Sequence, residues 1–476
     1  MKRSPSLLSR HLEIVPLIVA VFAGMGFSPS TTLASPNVIL IVADDLGYGD
    51  LGCYGQKEIK TPSLDRLATE GTRFTDFYAG STVCAPSRCV LMTGLHTGHA
   101  RVRGNALVPL LPEDVTLAEI FKSRGYQTGM FGKWGLGEPG STGLPNKQGF
   151  DDWFGYLNQG HAHNYYPEFL WRNETQEKLP GNKAVAGVAI EKGTYSQDLF
   201  LKESLAFLDR NKGQPFFLYL PWTLPHANNE AGRVKGNGME IPSLGDYAAK
   251  SWPEPEKGRA AMISRLDADV GKIIEKVAEL GLADNTLILF TSDNGPHAEG
   301  NSTVEFFDSN GPLRGSKRDL YEGGIRVPLI VRWNGHVPAG KTSDVPWGFV
   351  DMLPTLASLI RAEPPKGMDG VSELSLIEGK APSEHPPLYW EFHERGFDQA
   401  VRMGNWKGVR HGLGPVELYD LKQDVSEEHN VSAAHADVVE KMTQYLATAR
   451  TESEHWPVDT KKQEQNRKRP KPAKAP

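Results

Sequence analysis

The sequence predicts an α/β fold: a mainly parallel sheet flanked by helices, with a small α+β subdomain after it. Three observations predict it. Apolar runs at 37–43, 215–220, 286–291 and 327–332 read as buried strands. Segments with helical periodicity near 61–70, 115–124, 198–210, 258–280 and 348–361 lie between and beside them, and strands alternating with helices imply parallel pairing. After about residue 380 the texture changes to short runs at 388–392, 400–402, 406–409 and 417–419, joined by turns and followed by a helix near 434–450.

At 476 residues the chain exceeds what one hydrophobic core usually serves. We expect a signal peptide over 1–34, a main domain over 35–380, a subdomain over 381–456 and a basic tail over 457–476. Lys2, Arg3 and Arg10 supply the basic start of the signal, Ile14 to Phe27 its apolar run, and Thr32-Leu33-Ala34 a cleavage site. The run is short for a span and is broken by Pro16, Gly24 and Gly26, so no stable membrane insertion is expected. The protein reads as exported, periplasmic or secreted.

The formal charge of −6 is unevenly spread. Residues 461–476 carry seven Lys/Arg against one Glu, and residues 1–34 carry three basic residues against one acidic, which leaves −14 on the body between. An acidic body repels anions at long range, so any anion site has to be built from local cations, and no nucleic-acid partner is expected. The Lys- and Pro-rich tail has the composition of a disordered segment. Cys53, Cys84 and Cys89 are the only cysteines, too few for a disulfide framework.

Residues Cys84-Ala85-Pro86-Ser87-Arg88 place a nucleophile where a helix is expected to begin, since Pro86 suits a first helical turn. The free N–H groups of that turn and Arg88 would form a small anion nest, with Cys84 as a low-pKa thiol facing it. A buried structural cysteine is the alternative. Asp44 and Asp45 end the first apolar run, and Asp293-Asn294 follow the run at 286–291. Ligand sites in open α/β sheets lie beyond the carboxyl ends of strands, so the two pairs can converge. Three carboxylates and an amide oxygen suit Ca²⁺ or Mg²⁺. Each pair taken alone could equally be a turn or a helix cap.

Cys-x-Pro-Ser-Arg, with the segment Asp44 to Asp50, resembles the signature of the type I sulfatases of the alkaline phosphatase-like superfamily. The resemblance covers most of residues 36–420. It implies an alkaline phosphatase-like fold and oxidation of Cys84 to formylglycine by a formylglycine-generating enzyme. It also implies one Ca²⁺ ion on Asp44, Asp45, residue 84, Asp293 and Asn294. Arg88, Lys133 (in Gly132-Lys133-Trp134) and Lys317 would hold sulfate oxygens while a hydroxyl of hydrated formylglycine attacks sulfur. His226, with Lys317, would protonate the leaving alcohol.

In one place the chain departs from the pattern: many sulfatases carry His after the Trp of Gly-Lys-Trp, and here that residue is Gly135. This leaves the base at the formylglycine unassigned. His163 is a candidate replacement, although its neighbours Asn164, Tyr165 and Tyr166 favour substrate contact. Arg101, Arg103, Asn105, His163 and His297 are candidates for hydrogen bonds to a sugar. The expected substrate is a sulfated saccharide carrying galactose or N-acetylgalactosamine sulfate, with O4 as the expected position. A phosphodiesterase or phosphonate monoester hydrolase of the same superfamily and a non-catalytic carbohydrate-binding relative remain as alternatives.

Overall fold

The computed structural model describes Met1 and residues 35–458. The expected signal segment and nearly all of the basic tail lie outside the described residues. The described residues from Ser35 to residue 458 cluster as one compact unit. The strands are β1 (Asn37–Ala43), β2 (Thr72–Tyr78), β3 (Gln127–Lys133), β4 (Asp152–Tyr156), β5 (Phe169–Arg172), β6 (Thr175–Lys178), β7 (Lys183–Val185), β8 (Val188–Glu191), β9 (Phe216–Pro221), β10 (Thr286–Ser292), β11 (Arg326–Arg332), β12 (Lys341–Ser343), β13 (Trp347–Gly348) and β14 to β17 (Leu388–Phe392, Asp398–Met403, Trp406–His411, Val416–Asp420). The helices are α1 (Pro62–Glu70), α2 (Cys84–Thr93), α3 (Leu117–Ser123), α4 (Gln159–Ala162), α5 (Ser196–Asn211), α6 (Asn229–Lys235), α7 (Glu254–Glu279), α8 (Glu322–Ile325), α9 (Phe349–Leu359), α10 (Leu374–Ile377) and α11 (Ala436–Thr448).

The large sheet runs in the order β12-β2-β11-β10-β1-β9-β3-β4-β5-β6, with β13 beside β2. Its centre, β10-β1-β9-β3-β4, is parallel, while β11 lies antiparallel to both β10 and β2. β1 shows why its sequence is an unbroken apolar run. Val38, Leu40 and Val42 enter the core under α2, α3 and α9, whereas Ile39, Ile41 and Ala43 enter the core under α1, α5 and α7. Successive strand residues point to opposite faces, so a strand covered on both faces must be apolar throughout.

β3 escapes such a reading because Gln127, Thr128, Gly129, Gly132 and Lys133 dilute its apolar content. Gly132, at φ 141°, is required there, since a Cβ would meet the Pro221 carbonyl oxygen at 2.2 Å. β2 carries polar residues at four of its seven positions (Thr72, Arg73, Thr75 and Asp76), and β4 is five residues long.

The four short runs after residue 380 form an antiparallel meander, β14-β15-β16-β17. Met442 and Leu446 of α11 pack on Val401 and Leu418 of this small sheet. Buried charge ties the small sheet to the large one. Lys407 Nζ lies 2.8 Å from Glu322 and 3.4 Å from Glu427, all without exposure. Glu391, also fully buried, receives Arg103 Nη1 at 3.0 Å and Arg450 Nε at 3.1 Å. Cys53 and Cys89 are free thiols, both pushed by burial to a pKa of about 12. Among the described residues no helix is long and apolar enough to cross a membrane.

Removing one partner of a buried charge cluster leaves the rest uncompensated, at a cost of about 3–5 kcal/mol. Lys407→Met should therefore lower unfolding stability by about that amount, measured by urea denaturation. An unchanged midpoint would show that the joint does not depend on this cluster.

Candidate active site

β1, β9, β3 and β10 are parallel neighbours, and their carboxyl ends lie along one edge of the sheet. Asp44 and Asp45 follow β1, Asp293 and Asn294 follow β10, Lys133 ends β3, and the loop after β9 carries His226. α2 brings Cys84 and Arg88 to this edge. It starts from an extended Val83 and stops at Gly94, whose φ of 68° supplies the left-handed cap. All ten α2 residues are buried, as are Asp44, Asp45, Lys133, His226, Asp293, Asn294 and Lys317.

The charges interlock. Lys133 Nζ donates to Asp44 Oδ2 at 2.7 Å. Arg88 donates through Nε and Nη2 to Asp293 Oδ2 at 3.0 and 2.8 Å, and through Nη1 to the Lys133 carbonyl at 2.6 Å. Lys317 Nζ sits 2.7 Å from Asp45 Oδ2, 3.1 Å from Glu299 Oε2 and 3.2 Å from His226 Nε2. Asp45 holds a left-handed φ of 66°, and Arg318, next to Lys317, one of 77°. Such backbone is costly for these residues and persists only where surrounding contacts fix it.

These contacts set the protonation states. Burial works to raise the Asp44 carboxyl, but Lys133, His226 and Arg88 outweigh it and hold it well below the usual range. Asp45 is likewise held down against its burial, chiefly by Lys317. Asp293 goes the other way, to about 7, because burial and the neighbouring Asp44 outweigh Arg88. Burial, aided by Lys317, depresses His226 to about 3, so its ring is neutral at ordinary pH. Its Nδ1 lies 2.7 Å from the Ala227 carbonyl. The proton therefore sits on Nδ1, and Nε2 accepts from Lys317. The resting proton between these two groups is on Lys317, whose pKa lies well above normal because its carboxylates outweigh its burial.

Cys84 corrects one expectation. Its Sγ donates to Asp44 Oδ1 at 3.2 Å, and burial, then Asp44, push the thiol well above its ordinary pKa. A helix start and nearby cations would have lowered it, but the adjacent carboxylate prevails. The group here is a protonated thiol. The first-turn N–H of Ala85 is also taken, by Asn105 Oδ1 at 3.0 Å, so the expected anion nest is already partly occupied.

The sugar-contact candidates scatter. Arg103 is 2 % exposed and committed to Glu391 and Thr451. Arg101 pairs with Asp114 and Glu113, and Asn105 orients the start of α2. His297 is fully buried, with Nε2 3.2 Å from the Pro225 carbonyl and Nδ1 accepting the Glu299 N–H. His163 stacks on a catalytic candidate, its ring centroid 4.9 Å from that of His226, and its Nδ1 lies 2.9 Å from Glu230 Oε2; the His297 ring also packs against His226, with centroids 6.0 Å apart. His163 makes no bond to residue 84. Glu299 and Arg318 were missed by sequence reasoning, yet Glu299 stands in the same loop as Asp293 and Arg318 adjoins Lys317. Arg318 Nη1 donates to Glu299 Oε1 at 2.6 Å.

Three carboxylates and an amide meeting in a dry pocket form a hard-oxygen donor set. Asn294 Oδ1 is buried and accepts no hydrogen bond within the chain, and an unpartnered amide oxygen beside these carboxylates fits a divalent cation.

Residues 36–362 match the family model described as Sulfatase, and residues 315–452 match the one described as N-sulphoglucosamine sulphohydrolase, C-terminal. The chain belongs to the sulfatase family. It is a sulfuric ester hydrolase. Among its relatives, human arylsulfatase A is 34% identical over 90% of this chain and 89% of the relative. The N-acetylgalactosamine-6-O-sulfatase of Bacteroides thetaiotaomicron is 30% identical over 87% and 93%. A crystal structure of Ps i-CgsB in complex with k-i-k-neocarrahexaose superposes with a TM-score of 0.76 at 29% identity, covering 91% of this sulfatase and 98% of that chain.

Proposed function

We propose that this sulfatase is exported and hydrolyses sulfate esters of a galactose or N-acetylgalactosamine unit in a sulfated saccharide. We further propose that it does so with a formylglycine made from Cys84 and one Ca²⁺ ion. The observation that carries the reading is the convergence of Cys84, Arg88, Lys133 and Lys317 with Asp44, Asp45, Asp293 and Asn294 at one sheet edge. Relatives named for N-acetylgalactosamine sulfate and a neighbour crystallised with a neocarrahexaose support the saccharide class. The named relative acts at O6, which makes paired O4 and O6 esters the decisive substrate panel.

Asp44, Asp45, Asp293 and Asn294, with residue 84, would hold the ion, which when bound supplies positive charge beside the nucleophile. The protein's own groups do the rest. Lys133 and Arg88 present fixed cations to sulfate oxygens, and each is kept charged in the dry pocket by its carboxylate. Lys317 holds the transferable proton for the leaving alcohol. His226, fixed by the Ala227 carbonyl, keeps Nε2 as an acceptor and orients Lys317. A buried, protonated Cys84 would be a poor nucleophile as a thiol, which supports its conversion by a formylglycine-generating enzyme before catalysis.

Peptide mass spectrometry of active enzyme should show residue 84 without its sulfur, and Cys84→Ala should abolish turnover while the protein stays folded. Full activity with an intact thiol would refute the modification. His163 stands over His226 beside the more exposed Glu230, a position suited to gripping sugar. His163→Ala should raise KM for a sulfated saccharide several-fold and leave a small aryl sulfate nearly unaffected. A kcat loss on both substrates would instead place His163 in the chemistry.

A further inference from the structure

Gly135 marks the departure from the family's pattern, and the structure shows what stands in its place. Its φ is 87°, and a Cβ built there would lie 2.8 Å from Nε2 and 3.3 Å from Oε1 of Gln159. The Gln159 amide thus occupies the space where a side chain at 135 would begin. Its Nε2 is buried and makes no hydrogen bond within the chain. A buried amide donor is costly to leave without an acceptor, so a native structure that keeps one needs a reason for it.

Gln159 opens α4, which Asn158 caps. Asn158, just before it, accepts the His161 N–H at 3.1 Å and donates to Glu138 at 3.2 Å. Gln159 thus packs on Gly135, two residues after Lys133, and opens the short helix whose C-cap, His163, stacks on His226. Lys133, Arg88 and Lys317 are each already paired with a carboxylate. The Gln159 amide adds a neutral donor with no internal commitment. A sulfate ester brings acceptor oxygens and no donors.

We propose that Gln159 contacts substrate in the sulfatase reaction, donating Nε2–H to a non-bridging oxygen of the bound sulfate ester. The neutral amide occupies the room that Gly135 leaves and holds sulfate; it takes no proton. This rests on the sulfatase activity itself, which turnover by the unaltered enzyme checks independently of any variant.

The test uses Gln159→Leu and the near-isosteric Gln159→Glu. Each is assayed with 4-nitrophenyl sulfate, with a sulfated saccharide and with inorganic sulfate as a competitive inhibitor. Loss of one hydrogen bond to a charged acceptor should lower kcat/KM about 10- to 100-fold on both esters. The inhibition constant for sulfate should rise as well, with the thermal midpoint held. Gln159→Glu should be at least as impaired, because a carboxylate repels the anion, and it serves as the test if the Leu variant does not fold. Unchanged turnover and sulfate inhibition in a folded variant would overturn the proposal. A loss confined to the saccharide would also overturn it, by assigning Gln159 to the sugar.

Discussion

Everything at the active site depends on holding eight charged groups of both signs together, six of them out of water. Asp44, Asp45, Asp293 and Glu299 face Arg88, Lys133, Lys317 and Arg318, and the first three acids and first three bases are essentially unexposed. No one of these charges is tolerable alone in such a place, and each removal strands a partner. The parallel sheet solves the assembly problem. It delivers the residues after β1, β9 and β10, and the last residue of β3, to a single edge, and α2 closes over them with Cys84 and Arg88. The left-handed backbone at Asp45 and Arg318 is part of what this convergence costs.

The same device joins the two sheets. Lys407 between Glu322 and Glu427, and Glu391 between Arg103 and Arg450, make the seam directional, where apolar contact alone would allow sliding. Two salt links run from this seam to the catalytic edge. Arg318, beside Lys317, reaches Glu394 in the turn after β14, and Arg395 of that turn reaches Asp319. The small sheet thus braces the loop that carries Lys317.

Much of this was legible in the sequence, for physical reasons that can be named. Strands covered on both faces, such as β1 and β10, announce themselves as unbroken apolar runs. Acids placed just after such runs announce a site at the sheet edge. β3 was hidden because close approach to β9 demands glycine, and its last position serves chemistry as Lys133. The expectation of a low-pKa Cys84 failed because a helix start and cations were visible in the sequence, whereas the carboxylate of Asp44, forty positions away, was not. Arg103 looked like a free cation near the motif, yet its partner Glu391 lies 288 positions along the chain. Pairings at such distances leave no local trace. The role of Gln159 had none either, apart from the glycine at 135 that makes room for it.

The most direct measurement of the central claim is metal content. Purified active enzyme should hold close to one Ca²⁺ per chain by elemental analysis, and chelation should remove both the ion and the activity. Asp293→Ala should bind no ion and show no turnover. Full activity in rigorously metal-free enzyme, or an ion retained at wild-type occupancy by Asp293→Ala, would contradict the account.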